Sequence, residues 1–254
     1  MEHYGTSSYG DRIADIYDDL YEATRDTTPT VDLLAELADK GRALELGIGT
    51  GRVAVPLAAR GVQVEGIDAS EAMVTRLRQR PGGADIPVSI GDFADVAVDG
   101  QFQLIYIPFT TFFALQSQAD QIRCLRNVAS HLEPDGSFVL DAFVPDIRRF
   151  HGGQAVSVPK VESGRVLLDV ARHDPVSQTI HSSHVLLSDA GVRLFPVVIR
   201  YAWPAELDAM ALVAGLSLAH RYADYARRPF EAISPRHVSI YQLDFAGSTG
   251  TANG

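Results

Sequence analysis

The stretch GRALELGIGTGR runs from Gly41 to Arg52 and combines a short apolar segment with three glycines at alternate positions. The run from Ala43 to Leu46 predicts a strand, and the residues after the glycines have apolar side chains at helical spacing. Glycine permits the sharp turns that leave main-chain atoms open to a ligand. The stretch therefore predicts a strand, a bare turn and a helix start, as in a nucleotide-binding βαβ unit.

An acidic residue stands at the end of the next apolar run. Val62 to Ile67 predict a second strand, and Asp68 follows it. In nucleotide-binding βαβ units an acid at this place accepts hydrogen bonds from ribose hydroxyls. A dinucleotide fingerprint would have a third glycine where this chain has Arg52, because that glycine lets the helix pack closely beneath a pyrophosphate. The spacing favours an adenosine-bearing ligand without phosphates.

Strands and helices alternate along the first part of the chain. Helices are predicted at 9–21, 30–39, 70–80 and 119–132, and further strands at 87–92, 102–107 and 137–143. This alternation predicts an α/β fold with a parallel sheet covered on both faces. Ligands of such sheets bind outside the carboxyl ends of the strands. The residues at or near those ends are Asp68, Asp92, Pro108 and Asp141.

The pattern changes at about Gly164. Residues 165–173, 179–187 and 192–203 are rich in β-formers and separated by turn signals, which predicts an antiparallel meander. A helix at 204–214 and strands at 216–222 and 237–245 follow. We therefore predict an N-terminal helical cap (1–40), a core (41–163 and 204–246), an antiparallel β insertion after strand five (164–203) and a disordered tail (247–254).

Composition narrows the choice of partner. The formal net charge is -10, so a broad attraction to nucleic-acid phosphates is not expected, and a small molecule is favoured. Cys124 is the single cysteine, which leaves no intrachain disulfide and favours a reducing compartment. No secretory signal and no apolar stretch of about 18 residues is present. We expect a cytoplasmic protein without a membrane partner, and a homo-oligomer stays open.

Four short motifs lie close to the predicted strands: LELGIGTG at 44–51, GIDAS at 66–70, GDF at 91–93 and LEPDGSF at 132–138. In combination they resemble those of the class I S-adenosylmethionine (SAM)-dependent methyltransferases. The resemblance implies a Rossmann-like sheet of seven strands whose last strand is antiparallel. It also implies SAM as the cofactor and S-adenosylhomocysteine as its product.

The resemblance implies where SAM lies. The glycine turn faces the methionine portion, Asp68 takes the ribose hydroxyls, and Asp92 accepts from the adenine amino group, as ionised carboxylates can. Either acid could instead cap a helix or lie in a solvated loop, and Met73 could be core. The implied cofactor contacts are Tyr17, Glu45, Gly47, Gly49, Asp68, Ala69, Met73, Asp92, Phe93 and Pro108.

Two tyrosines eight residues apart, Tyr9 and Tyr17, stand near the start of the chain. They resemble the N-terminal segment of small-molecule N-methyltransferases of antibiotic biosynthesis, including those acting on amino sugars and lincosamides. This similarity implies a helix that folds over the cofactor, with Tyr17 at the cofactor and Tyr9 in a catalytic position. A tyrosine ring favours a nearby cation. Tyr21 is interpreted as core, and a packing stripe is the alternative for Tyr17.

Apolar residues follow the fourth strand in IPFTTFF at 107–113. Nucleic-acid amino-methyltransferases carry Asp or Asn before Pro-Pro and an aromatic residue here, and some amino-sugar enzymes have a histidine shortly afterwards, so this chain departs from both. The segment predicts an apolar wall around the acceptor. The predicted substrate contacts are Tyr9, Phe109 and Phe113, with Arg200 and Trp203 from the β insertion on the substrate side.

The absence of an obvious base favours an amine as the methyl acceptor. Methyl transfer is an in-line displacement that needs donor and acceptor about 3 to 3.5 Å apart. A hydroxyl would need a positioned base, whereas a free amine does not. His173, His181 and His184 in the β-rich segment are possible rivals as bases, but alternating histidines of an antiparallel strand more often face solvent, and they are interpreted in that way. No metal is predicted, because Asp141 has no companion ligand beside it.

We therefore expect a SAM-dependent N-methyltransferase that acts on an amine of a small natural product, of lincosamide or amino-sugar type, by in-line transfer. A small-molecule O-methyltransferase is the enzymatic alternative. A methyltransferase-fold binding subunit is the non-enzymatic one, although the intact set of Gly47, Gly49, Asp68 and Asp92 argues against it. A nicotinamide oxidoreductase is a third alternative, which NAD binding would reveal.

Overall fold

The computed structural model describes residues 4–21 and 27–244. The strands are β1 (Arg42–Leu46), β2 (Gln63–Asp68), β3 (Val88–Ile90), β4 (Phe102–Ile107), β5 (Leu132–Phe143), β6 (Gln154–Glu162), β7 (Arg165–Asp174), β8 (Thr179–Ser188), β9 (Gly191–Arg200), β10 (Leu216–Tyr222) and β11 (Arg236–Leu243). The helices are α1 (Ser8–Ile13), α2 (Tyr17–Tyr21), α3 (Thr28–Ala38), α4 (Ala54–Ala58), α5 (Glu71–Gln79), α6 (Gln118–His131) and α7 (Pro204–Val213). Of these helices none is long and apolar enough to cross a membrane.

The larger sheet has seven strands in the order β10-β11-β5-β4-β1-β2-β3. Its first five strands in the chain pair in parallel. β11 is antiparallel to both of its neighbours, β5 and β10. The predicted sheet with an antiparallel last strand is thereby confirmed. The strand order reverses between β1 and β4, so the carboxyl ends of the strands there border the crevice in which such sheets bind ligands.

Alternate residues of β1 point to opposite faces of the larger sheet. Leu44 and Leu46 belong to a buried cluster that includes residues of α6 and α7, whereas Ala43 belongs to a cluster with residues of α3, α4 and α5. Both faces are therefore covered by helices, as predicted. A strand buried on both faces is nearly continuously apolar, and Glu45 is the polar exception in β1.

The smaller sheet is antiparallel, in the order β6-β7-β8-β9, and confirms the predicted meander. The smaller sheet begins at Gln154, earlier in the chain than the expected change at Gly164. The additional strand is β6, which the sequence pattern did not predict. β6 is a largely exposed edge strand with a register shift between Ser157 and Lys160. It also contains Pro159, which cannot donate to a ladder. These features remove the alternation by which a strand is recognised.

Two other predicted elements differ in detail. The helix predicted at 9–21 is divided into α1 and α2, with a turn in which the Ile16 amide donates to the Ile13 carbonyl at 3.0 Å. β5 starts at Leu132 rather than at Ser137, but its pairing with β4 jumps from one of these residues to the other. The predicted tail at 247–254 and the end of the last strand at 245 lie outside the described residues.

Candidate active site

A cavity of about 290 Å³ lies at the carboxyl ends of the parallel strands. The glycine turn after β1, the end of β2 and the loops after β3 and β4 form one side of it. α1 and α2 cover it together with β8 and β9 of the smaller sheet. Ten of the predicted site residues line this cavity: Tyr9, Tyr17, Gly47, Gly49, Asp68, Ala69, Met73, Asp92, Phe93 and Phe109.

The glycine turn presents main chain to the cavity. Gly47 and Gly49 have positive φ angles of 74° and 56°, a region that L side chains rarely adopt. A Cβ at Gly47 would lie 2.7 Å from Cγ2 of Thr111. A Cβ at Gly49 would meet nothing nearer than 4.0 Å, so the space above that residue is open. The turn is thus shaped for close approach of a ligand to the backbone.

Asp68 joins the turns that follow β1 and β2. Its Oδ2 accepts a hydrogen bond from the Gly49 amide at 2.7 Å, and its Oδ1 accepts one from the Ser70 amide at 2.8 Å. Burial raises the pKa of the Asp68 carboxyl above its usual value, against the lowering effect of these two amides. A carboxylate has about four lone-pair sites. Both oxygens therefore retain acceptor capacity toward the cavity.

Ser70 connects the end of β2 to the N-terminal helices. Its hydroxyl caps α5 by accepting from the Met73 amide at 3.2 Å, and it donates to Oδ1 of Asp11 at 2.6 Å. A Cβ at Gly10 would lie 2.6 Å from Cβ of Ser70. α1 therefore packs directly on the cap of α5. This cap lies beside the floor of the cavity, which is the side formed by the glycine turn, the end of β2 and the loops after β3 and β4.

A second contact holds α2 over the glycine turn. The Thr50 hydroxyl donates to Oδ1 of Asp18 at 2.7 Å. Arg80 is ion-paired with the same oxygen at 2.8 Å. Further along the cover, Asp15 forms an ion pair with Arg193 of β9 at 2.8 Å. The N-terminal helices are thus attached to the large sheet and to the small one.

The loop after β4 is held in an unusual backbone conformation. Phe109 and Thr110 have φ angles of 59° and 67°. Left-handed conformations of such residues cost of the order of 1–3 kcal/mol unless the surroundings enforce them. Here the Phe109 amide and the Tyr225 hydroxyl both donate to Oδ1 of Asp141, which is buried. Asp141, considered as a metal ligand in the sequence analysis, instead holds this loop.

Of two further acids predicted at the cofactor, one lines the cavity and the other does not. Glu45 does not line it but lies buried in β1, where it accepts from the Tyr106 hydroxyl at 2.8 Å and where burial raises its pKa to about 8. Asp92 does line it, while its Oδ1 also accepts from the Ala94 amide at 2.9 Å. Glu45 therefore supports the glycine turn from within the sheet.

Four other predicted contacts also lie outside the cavity wall. Phe113 is fully buried and packs against Phe143 with ring centroids 5.2 Å apart. Arg200 points away from the cavity and donates to Gln121 at 2.6 Å, whereas its strand neighbours in β9 at 197–199 line the wall. Pro108 and Trp203 complete this group. None of these four residues lines the described cavity, because residue type does not determine which way a side chain points.

Several cavity residues were not predicted. Tyr21, interpreted as core, lines the cavity, and its hydroxyl lies 2.9 Å from that of Tyr9. His184, interpreted as facing solvent, also lines it, with Nε2 at 3.4 Å from the Tyr21 hydroxyl. The alternation of side chains along β8 did not indicate that His184 faces the cavity, since the sequence of one strand does not show which elements cover each face of its sheet. Tyr4, Thr111 and Gln116 also line the wall.

Known proteins are similar to this chain in fold and in sequence. Residues 43–136 match a family model described as a methyltransferase domain. The chain is 32% identical over 200 residues to the cypemycin N-terminal methyltransferase of a Streptomyces species, which covers 78% of this chain and 82% of that protein. The chain belongs to the methyltransferase family. This methyltransferase is also 40% identical to the CcbJ methyltransferase of Streptomyces caelestis, with a TM-score of 0.89 over 94% of this chain and 99% of the other.

The fold extends to more distant methyltransferases. The structure of SAM-bound CalS10, an amino pentose methyltransferase from Micromonospora echinaspora, matches with a TM-score of 0.69 at 22% identity, over 90% of this chain and 96% of the other. The predicted class I methyltransferase fold is confirmed by these comparisons, and CalS10 is a protein of this fold with SAM bound. The open glycine turn and the free acceptor sites of Asp68 suit the adenosyl and methionine parts of SAM.

Proposed function

We propose that this methyltransferase transfers the methyl group of SAM to an amine nitrogen of a small natural product, such as an amino sugar or a lincosamide precursor. The observation that carries this proposal is the cover of the cavity, in which four tyrosines stand over the glycine turn and Asp68. They are Tyr4, Tyr9, Tyr17 and Tyr21. Tyrosine rings stabilise cations at their faces, and both the sulfonium of SAM and an ammonium are cations.

SAM would be held by the predicted residues that line the cavity. Gly47 and Gly49 would contact its methionine part and Asp68 its ribose hydroxyls. Ala69 and Met73 would flank the adenine, with Asp92 and the Phe93 backbone at the amino group. Tyr17 would close over this end from α2. The proposal is supported by the shared wall on which these residues lie.

The charge of the wall favours an amine over an anionic acceptor. Apart from the tyrosines, the ionisable groups among the described residues that line the cavity are Asp68, Asp92 and His184, and this part of the wall contains neither Lys nor Arg. An acceptor group that carries a carboxylate or phosphate would therefore enter without a cation to pair with it, which is costly. A neutral amine meets no such penalty.

Bound SAM supplies a methyl group on a positively charged sulfur. The protein's own part is to align the acceptor with that methyl and to exclude water. Phe109, Leu115 and Val198 provide apolar surface on the wall for this purpose. Tyr9, the predicted catalytic residue, places a hydroxyl at the same wall. Burial and its tyrosine neighbours raise the Tyr9 pKa well above its usual value, so the hydroxyl keeps its proton.

The test compares amines with blocked analogues. Purified protein would be incubated with SAM and a panel of amino sugars and prolyl amides, each paired with its N-acetylated form, and products would be weighed by mass spectrometry. We expect methyl addition to the free amines alone. Equal turnover of both forms would refute N-methylation and support the O-methyltransferase. Asp68→Ala serves as the control without cofactor binding.

A further inference from the structure

Four side chains form a row that ends in the cavity. The Tyr9 and Tyr21 hydroxyls are 2.9 Å apart, and the Tyr21 hydroxyl is 3.4 Å from Nε2 of His184. On the other side of the imidazole, Nδ1 of His184 is 3.5 Å from Oδ1 of Asp169. The row joins α1, α2, β8 and β7. Three of its members, all except Asp169, line the cavity.

At the end of the row away from the cavity, a ring nitrogen and a carboxylate oxygen are buried next to each other. Nδ1 of His184 and Oδ1 of Asp169 are both inaccessible to solvent, and neither has another hydrogen-bond partner among the described residues. The two residues are directly opposite each other in the β7–β8 pairing. Burial of both atoms without a hydrogen-bond partner is destabilising. The two atoms are at ion-pair distance and form no hydrogen bond as they stand. A proton on Nδ1 directed at the carboxylate would satisfy both on closer approach, and it would make Nε2 the acceptor for the Tyr21 hydroxyl.

The surroundings leave Asp169 as the charge that acts on this imidazole. β9 places Phe195 opposite His184, and the arginine two residues before it is already paired with an acid of the N-terminal segment. Within 4–21 and 27–244, the ionisable groups that face the row are Asp169 from β7, Arg193 from β9 in its pair with Asp15, Tyr9, Tyr17 and Tyr21 from α1 and α2, and Tyr4, which interacts with Tyr9.

We propose that His184 accepts the proton that an ammonium substrate must release before methyl transfer, with the Tyr9 and Tyr21 hydroxyls as carriers and Asp169 as the group that orients the imidazole. This proposal rests on the proposed function, since it assigns the proton path of the same site. His184 acts through the tyrosines and is therefore a positioning residue. A histidine suits this task because a neutral imidazole has one ring nitrogen that can accept a proton.

The transfer balances in protons and electrons. The ammonium donates a proton to the Tyr9 oxygen, Tyr9 passes its own to Tyr21, and Tyr21 passes its own to Nε2 of His184, so both tyrosines end unchanged. The freed nitrogen lone pair then forms the N–C bond while the C–S pair stays on sulfur. The products are the methylated ammonium, S-adenosylhomocysteine and an imidazolium. The partly exposed His184 side chain then returns the proton to solvent.

The kinetic test uses His184→Gln with His181→Gln as the matched control. His181 is on the same strand but is exposed, and it lies three residues away on the opposite face. With a primary amine and SAM, we expect kcat of His184→Gln to fall about 100-fold at neutral pH, with KM little changed. The deficit should shrink as the pH rises and free amine accumulates. Tyr21→Phe should show the same pH-dependent loss, and His181→Gln should match wild type.

A spectroscopic test needs no substrate. Nitrogen-15 spectra of the full chain with labelled histidine report which ring nitrogen carries the proton. We expect His184, assigned from the His184→Gln spectrum, to be protonated at Nδ1 in wild type, and to lose this preference in Asp169→Asn. Superimposed pH profiles of wild type and His184→Gln, or protonation at Nε2, would overturn the proposal. If the wild-type protein methylates no amine, the proposed function is wrong, and the nitrogen-15 spectrum alone then tests whether Asp169 orients the His184 imidazole.

Discussion

The hydroxyl of Ser70 donates a 2.6 Å hydrogen bond to Oδ1 of Asp11, and so links the turn after β2 to the first N-terminal helix. The same hydroxyl caps α5 by accepting from the Met73 amide. One side chain thus connects the floor of the cavity to its cover. Binding of SAM to the floor and closure by the cover are expected to be coupled through it.

Asp11→Ala should weaken this closure. A hydrogen bond to a charged group contributes about 1.5–3 kcal/mol, so we expect SAM affinity to fall about ten-fold or more and amide exchange in α1 to accelerate. Calorimetry and hydrogen exchange would measure these effects. Asp32→Ala, at an exposed position of α3, is the control. Unchanged exchange in α1 would contradict the coupling.

Asp68→Ala should remove measurable SAM binding. The change removes the acceptor for the Gly49 and Ser70 amides as well as the proposed acceptor for the ribose. We expect a loss of at least about 100-fold, the equivalent of two hydrogen bonds to a charged group. Titration calorimetry with SAM would measure it. Asp68→Asn keeps one acceptor oxygen and should lose less. Wild-type affinity in the alanine variant would exclude Asp68 from the SAM site.

Tyr9→Phe should lower turnover more than cofactor affinity. The ring that covers the cavity remains, while the hydroxyl that reaches Tyr21 is lost. We expect kcat to fall at least about ten-fold and the Kd for SAM to change little. Steady-state kinetics and calorimetry together separate the two effects. Tyr222→Phe, at the far end of β10, is the control. Equal losses in kcat and in SAM affinity would indicate a binding role.

Glu45 should make stability depend on pH. Its pKa is about 8 in the folded protein, against an ordinary value of 4.5, because it is buried. The folded state therefore keeps a proton that the unfolded state has released, and the free energy of unfolding falls as pH rises through this interval. The limiting slope is about 1.4 kcal/mol per pH unit.

Glu45→Gln cannot titrate, so its stability relative to wild type should rise as the pH increases from about 5 to about 8. Urea unfolding across this range measures the difference. Glu65→Gln, whose carboxylate is partly exposed and paired with Arg42, should run parallel to wild type. A Glu45→Gln curve that also runs parallel would show that Glu45 is ionised in the folded protein.

Asp141→Ala should destabilise the protein through the loop after β4. The Phe109 amide and the Tyr225 hydroxyl lose their shared acceptor, at a cost of about 1–3 kcal/mol for each buried donor left unsatisfied. Urea unfolding would measure a loss of several kcal/mol, with a smaller loss in Asp141→Asn. Asp146→Ala, which is exposed, is the control and should be nearly neutral. A neutral Asp141→Ala would contradict this role.

Local features of the site were predictable because each depends on residues close together in the chain. The turn at Gly47 and Gly49 requires backbone angles that glycine adopts freely. The Ser70 cap acts within one turn of helix. Asp68 follows its strand directly, so its position at the sheet edge depends only on that strand being parallel.

Side-chain direction beyond these turns was less predictable. Phe109 and Phe113 are four residues apart, yet one lines the cavity and the other is core, because the left-handed conformation at Phe109 and Thr110 redirects the chain. That conformation depends on Asp141, which is distant in sequence. No periodicity within the loop records such a contact.

The sequence alone determined the parallel sheet and the glycine turn with its acid, because these follow from local backbone chemistry and hydrophobic period. The methyltransferase fold and its adenosyl cofactor were expected from the resemblance of four short motifs to a known family. Only the tertiary structure decided that the side chains of Tyr9, Tyr21, His184 and Asp169 form one row. Tyr21 and His184 are separated by 163 residues, and they meet because the small sheet and the N-terminal helices cover the same crevice. The acceptor side of the cavity is therefore a product of tertiary packing.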